Sequence, residues 1–298
     1  MPFLSCSCVN GCAFHCIFHG QWEWNLKTLP TLVKGDELLL DDSLEDVYEA
    51  SRDISKYLLM HYGSLEDVFG ERDHPLAMAH GYPQRLSRVL QLAASRTETR
   101  VLRALDVGCS VGGVSHALSG WVEEKVLGLD VSARSIGVAS SLTLHGGGTF
   151  GVIQQGPFSQ EVTFRVRDES ERCEVGFQVG DACDLDGLGS FDVVVLSNVL
   201  DRVPDPGGCL DQFLTEGGPL SSGGLLVVAC PWSWYPEFSK PEKWFGSPDG
   251  SMSSEDHLKE RLKAGFSLVH EGDEPAVLRQ NPREYDYFNA HVTVWKKF

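Results

Sequence analysis

From residue 101 onward the chain alternates short apolar runs with longer amphipathic stretches. The runs are VLRALDVG, KVLGLDV, GFQVGDA, FDVVVLSN, GGLLVVAC, FSLVHE and HVTVWKK. Seven such runs separated by helical segments predict a mostly parallel α/β sheet with helices on both faces. Strands buried on both sides are near-continuous in Val, Ile and Leu, as VVVLSN and LLVVAC are. Ahead of the sheet, residues 36–63 read as a helix, with Val47, Ile54, Leu58 and Met60 near the helical spacing and Gly63 as a stop. A second helix is predicted over 83–94, and polar residues 95–100 connect it to the first strand. Residues 146–176 interrupt the order with HGGGTF, QQGPF and the charged run RVRDESERCE. A few residues normally suffice there, so the stretch reads as a surface insertion, with a hairpin through 162–166.

Residues 1–33 follow no helical or strand period. Four of the nine cysteines (Cys6, Cys8, Cys12, Cys16) crowd this leader. Their spacing matches no zinc pattern and no second ligand pair follows, so no metal is expected and the leader is read as poorly ordered. Residues 34–298 are read as one domain, with 34–100 as a helical cap. The 298-residue length suits this division, and 42% hydrophobic content is ordinary for a globular chain. The formal charge of −17 disfavours phosphate backbones and anionic lipid, so no nucleic-acid or membrane partner is expected. No apolar run approaches the roughly 18 residues of a membrane span, and the first ten residues lack the Lys or Arg of a secretory signal. Dispersed cysteines in apolar stretches (Cys109, Cys183, Cys230) point to a reducing compartment, and a cytoplasmic location is expected.

The candidate chemistry lies at the ends of the first three strands. Leu105-Asp106-Val107-Gly108-Cys109-Ser110-Val111-Gly112-Gly113 follows a strand and opens a helix. Glycines there let the backbone turn tightly and approach a ligand. Asp106 precedes the first glycine, where a carboxylate would repel a pyrophosphate but suit a cationic amino group. Asp130 ends the next strand, 24 residues on, placed to accept bonds from ribose hydroxyls. Asp181 follows the third strand, where an adenine amine would lie. This series fits S-adenosylmethionine (SAM) better than a dinucleotide. The expected cofactor contacts are Asp106, Gly108, Cys109 and Gly112 on the turn, Asp130, Val131 and Ser132 after the second strand, Asp181 and Ala182 after the third, and Asn198 after the fourth. The alternative is a plain nucleotide-binding or degenerate α/β domain whose acids merely cap helices.

The stretch 101–231 resembles the class I SAM-dependent methyltransferases. That resemblance implies a Rossmann-like fold with a mostly parallel seven-stranded sheet and helices on both faces. A narrower likeness covers about 44–298. Tyr48-Glu49, Arg52 and Lys56-Tyr57-Leu58-Leu59-Met60-His61-Tyr62-Gly63 look like the first helix of the ovothiol-biosynthesis methyltransferases, the mercaptohistidine N-methyltransferases. Gly180-Asp181-Ala182-Cys183, the stretch from Asn198 to Pro206 (NVLDRVPDP), Pro231-Trp232-Ser233-Trp234 and Lys243-Trp244-Phe245-Gly246 are similar to that family. Arg279, Arg283, Tyr285 and the terminal Ala290-His291-Val292-Thr293-Val294-Trp295 fall on its closing pattern. The resemblance implies a thiohistidine substrate, SAM as cofactor, and a separate sulfoxide synthase as a partner in the pathway, since no such domain is present in these residues. Gln280-Asn281-Pro282 departs from the family, whose segment between the arginines usually begins with an acid.

Methyl transfer to an imidazole needs little acid–base help. The free ring has a pKa of about 6.5 and is mostly neutral near pH 7. The main requirement is alignment of one ring nitrogen, a proximity effect. Arg279 and Arg283 are the expected carboxylate anchors, since guanidinium binds carboxylate in a fork. Tyr57, His61 and Tyr62 are expected to line the substrate pocket from the first helix, with core packing as the alternative for the two tyrosines. Trp234 is expected as an aromatic wall. Asn198 can donate and accept, so it is the expected catalytic residue, touching the methionine end of the cofactor or orienting the ring. His291, in a β pattern, reads as structural.

Overall fold

A computed structural model describes residues 51–70, 73–166 and 172–298. The leader, the start of the first predicted helix and Tyr48-Glu49 lie outside the described residues.

In chain order, helices α1 (Ser51–Tyr62), α2 (Leu65–Phe69) and α3 (Tyr82–Arg96) come first. The alternating part runs β1 (Arg103–Val107), α4 (Gly113–Ser119), β2 (Lys125–Asp130) and α5 (Ala133–His145). A side hairpin, β3 (Gly147–Gln155) with β4 (Phe158–Arg165), follows. Then come β5 (Glu174–Val179), β6 (Phe191–Ser197), α6 (Pro206–Leu214), β7 (Leu220–Cys230), α7 (Ser254–Leu262), β8 (Phe266–Asn281) and β9 (Glu284–Lys297). The main sheet has seven strands in the order β5-β2-β1-β6-β7-β9-β8. β5, β2, β1, β6 and β7 are mutually parallel, and β9 runs against both of its neighbours.

The period-two alternation of each strand divides the core between the two faces. Val194 and Leu196 pack with Leu210 and Phe213 of α6 and Leu258 and Leu262 of α7. Val193 and Val195 pack with Leu86 and Leu90 of α3 and Val114 and Leu118 of α4. Residues 193–196 and 225–230 are fully buried, which is why their sequence shows no polar interruption.

Two features differ from the sequence reading. The last two strands are far longer than FSLVHE and HVTVWKK, with 16 and 14 residues. Gly, Asp, Pro and Glu at 272–275 read as loop, but cross-strand pairing to β9 overrides local propensity. The 146–176 stretch is also more than a surface insertion. Phe150, Val152, Val162 and Phe164 of its hairpin are buried with Ile54 and Leu58 of α1 and Val138 and Leu142 of α5. The hairpin therefore braces α1 over the sheet.

The strand order reverses between β1 and β6. In open α/β sheets ligands bind at such a switch point, beyond the carboxyl ends of the strands.

Candidate active site

A cavity of about 960 Å³ opens at that switch point. The glycine turn forms its floor. Gly108 (φ 72°) and Ser110 (φ 49°) have left-handed backbones, and a Cβ on Gly108 would lie 2.4 Å from Val199 Cγ2. The Gly108 and Cys109 amides donate to the Leu129 carbonyl at 2.7 and 3.0 Å, tying the turn to β2.

Four carboxylates line this cavity, Asp286 from β9 and three at or just beyond the ends of β1, β2 and β5. Asp106 is buried, and its Oδ2 accepts from Ser115 Oγ at 2.6 Å. Its Oδ1 is buried with no partner among the described residues. Burial pushes its pKa up to about 7, against the pull of the Ser115 hydrogen bonds. Asp130 Oδ2 accepts from the Ser110 amide at 2.8 Å, and Oδ1 accepts from the Ser132 amide at 2.9 Å. Asp181 Oδ1 accepts from the Cys183 amide at 2.8 Å. Beside them Val131 is 69% exposed, an apolar side chain left uncovered next to the cavity.

SAM fits this wall. The orphaned Asp106 oxygen calls for a cationic donor, which an amino-acid ammonium supplies. Ser110 Oγ is a second buried polar atom without a partner. Asn198 Oδ1 is a third, carried on a left-handed residue (φ 57°) at the end of β6. Three such atoms around one cavity are not expected of a protein with nothing to bind there.

The opposite wall is aromatic. Tyr57 and His61 come from α1, Tyr82 from the start of α3, and Tyr285, Tyr287 and Phe288 from β9. His61 Nδ1 accepts the Gly113 amide at 3.0 Å, so the ring proton sits on Nε2. Burial lowers its pKa to about 4, and the ring is neutral at physiological pH. The Tyr82 hydroxyl bonds Ser197 Oγ at 2.9 Å, next to Asn198.

Of the expected site residues, Asp106, Gly108, Cys109, Asp130, Val131, Asp181, Ala182, Asn198, Tyr57 and His61 line the cavity. Six do not. Gly112 caps α4 (φ 88°), and a Cβ there would lie 2.6 Å from the Phe177 ring, so its glycine serves packing. Ser132 Oγ accepts the Ser135 amide at 3.0 Å as the cap of α5, and Ser135 lines the cavity instead. Tyr62 turns to the other side of α1, where its hydroxyl lies 2.7 Å from both the Val111 carbonyl and His116 Nδ1. Trp234 stacks on Trp244 and donates to Ser254 Oγ at 3.0 Å, so Tyr235 is the aromatic that reaches the cavity.

The two expected carboxylate anchors also lie elsewhere. Leu278 faces the cavity, so strand alternation turns Arg279 the other way. Arg279 is buried, donating to the Asp67 carbonyl and to Gln154 Oε1, and so ties β8 to α2 and the side hairpin. Arg283 is exposed in the β8–β9 turn. Arg279→Ala should therefore act on stability. Removing the buried guanidinium takes its hydrogen bonds from the half-buried Asp67 and Gln154, a loss of about 1–3 kcal/mol. A denaturant melt should show that loss while KM for the substrate stays at the wild-type value.

The cation that does line the cavity is Arg202, the one Lys or Arg among its described lining residues. It lies in a short 3-10 turn, Leu200–Arg202, just beyond β6. It falls within NVLDRVPDP, where the sequence pattern alone does not single it out.

The topology and the acid-lined switch point define a Rossmann-like nucleotide-cofactor enzyme fold. The methyltransferase-domain family matches residues 78–271, about two thirds of the chain. The chain belongs to that family, within the class I SAM-dependent methyltransferases. It is 28% identical over 159 residues to a ubiquinone biosynthesis O-methyltransferase from a Caulobacter species, covering 52% of this chain and 51% of the relative. The chain thus spans about half the length of that curated relative. Among solved structures, it is similar to an N-methyltransferase from Bradyrhizobium japonicum bound to S-adenosyl-L-homocysteine (TM-score 0.46, 15% identity, 82% of this chain and 98% of the other). It is also similar to magnesium protoporphyrin IX methyltransferase from Synechocystis (TM-score 0.44, 16% identity, 73% of this chain and 84% of the other). No helix among the described residues is long and apolar enough to cross a membrane.

Proposed function

We propose that the protein methylates a ring nitrogen of thiohistidine, using SAM. One observation carries the reading beyond the family: a single cavity joins an acidic cofactor wall to an aromatic wall holding one guanidinium. That combination suits a flat, neutral ring bearing a carboxylate. The motif resemblance, from the first helix to the terminal strand, narrows the ring to a thiohistidine.

SAM, when bound, supplies an electrophilic methyl group. In this reading Asp106 receives the ammonium of its methionine end, Asp130 the ribose hydroxyls and Asp181 the adenine side. Ser110 Oγ and His61 Nε2, which line the same cavity, are neutral donors for the methionine carboxylate. Asn198 Oδ1 accepts from the substrate or from the ammonium. Tyr57, Tyr82 and Tyr235 hold the ring flat and exclude water, so the protein's contribution is alignment. No described residue needs to take a proton before the step, because a neutral imidazole nitrogen already carries its lone pair.

The test is incubation with methyl-labelled SAM and a panel of histidine, thiohistidine, decarboxylated imidazoles and a phenol. Label is expected to pass fastest to thiohistidine. Preferential labelling of the phenol would overturn the reading in favour of O-methylation, the activity named for the Caulobacter relative.

A further inference from the structure

We infer that Arg202 selects an amino-acid substrate by binding its α-carboxylate. The inference rests on the proposed substrate class and replaces Arg279 and Arg283 in that role.

Asp106, Asp130, Asp181 and Asp286 line the cavity, and Arg202 is the one described cation among the lining residues. His61, the other basic side chain there, is held neutral by burial. Among the described residues, a carboxylate entering this cavity meets a guanidinium at one place.

The guanidinium is also aimed and held. Asp201, fully buried, pairs with Arg202 Nη1 at 2.9 Å. Nη1 also donates to the Asp201 and Ser233 carbonyls at 3.0 and 2.6 Å, and Nη2 to Ser233 Oγ at 2.9 Å. Ser233 closes the ring of contacts, its amide and hydroxyl each donating to Asp201 Oδ2 at 3.0 Å. The Tyr235 and Phe238 rings lie 4.8 and 5.3 Å from the guanidinium carbon. The Arg202 Nε–H donates to no described residue. An arginine fixed on one edge, with donor capacity left on another, is a preorganised fork for a carboxylate.

Position separates this group from the cofactor. Asp181, Asp130 and Asp106 follow β5, β2 and β1, on one side of the switch point. Arg202 and Ser233 follow β6 and β7, on the other. Asn198 lies between the two halves. The cofactor's own carboxylate belongs with its ammonium near Asp106, leaving Arg202 to the second ligand.

Arg202→Lys keeps the charge and loses the planar fork. Asp201 already shares that charge, so the effect falls at the lower end for a truncated carboxylate contact. KM for thiohistidine should rise about thirty- to a hundredfold, with kcat changed far less. Affinity for S-adenosylhomocysteine, read by calorimetry, should stay within about twofold. Decarboxylated thiohistidine should be methylated equally by wild type and variant, an equality that a merely structural arginine would not produce. If Arg202→Lys fails to fold, the double change Asp201→Asn with Arg202→Gln removes the buried charge as well and supports the same comparison. An unchanged KM would place the carboxylate elsewhere. An equal loss of S-adenosylhomocysteine affinity would assign the guanidinium to the cofactor. Either result overturns the inference alone. Wild-type protein inert toward both imidazoles would overturn the substrate reading, and this inference with it.

Discussion

Asp130→Ala is expected to weaken SAM binding by about 1.5–3 kcal/mol, roughly ten- to 150-fold. Each Asp130 oxygen already holds one backbone amide, from Ser110 or Ser132. A carboxylate at the end of the second strand is where a ribose diol would find a charged acceptor. The substitution removes a charge-assisted acceptor and also releases the Ser110 amide, so the left-handed turn keeps only its Gly108 and Cys109 amide bonds to Leu129. Asp130→Asn keeps one oxygen and should fall between the two. Calorimetric titration checks the series. Unchanged affinity in Asp130→Ala would show that the ribose lies elsewhere.

SAM affinity should also depend on pH through Asp106. Its carboxyl has a pKa of about 7 in the free protein, raised from 3.8 chiefly by burial. An ammonium pairs with the carboxylate and not with the acid. Affinity should therefore be full above about pH 7 and fall as pH drops, approaching tenfold per unit. Asp106→Asn should bind more weakly near pH 8 and show a flat profile. The sign for folding is opposite. A raised acid pKa favours the protonated folded state, so this contribution is fully present below about pH 4 and is lost as pH rises through about 7. Bound SAM offsets that loss by giving the ionised carboxylate a partner. Stability curves with and without SAM should diverge above pH 7 and approach each other below it.

The acidic wall proposed for the cofactor is more legible in the sequence than the aromatic wall proposed for the substrate, for a physical reason. Asp106, Gly108 and Asp130 sit at the ends of the short buried strands β1 and β2, Asp181 follows the partly exposed edge strand β5, and the apolar runs mark those ends within a residue or two. The substrate wall depends on which way a side chain points. Leu278 faces the cavity while Arg279 faces α2, a distinction set by the register of β8 on β9. The same difficulty separates Tyr235 from Trp234 and His61 from Tyr62, neighbours on opposite sides of one backbone. Arg202 was visible in NVLDRVPDP, but its role depends on Ser233, 31 residues away across β6 and β7. The length of β8 was hidden because Gly272 and Pro275 are poor strand formers. The bracing hairpin was hidden because a glycine-rich, charged segment shows little of its buried face.

The most direct measurement is the structure of the product. Thiohistidine and SAM are incubated with the protein, and the product is read by NMR and fragment mass spectrometry. The account predicts one methyl group on a ring nitrogen, with the thiol free to react with a thiol reagent. Methyl on sulfur, on the α-amino group or on neither would contradict it.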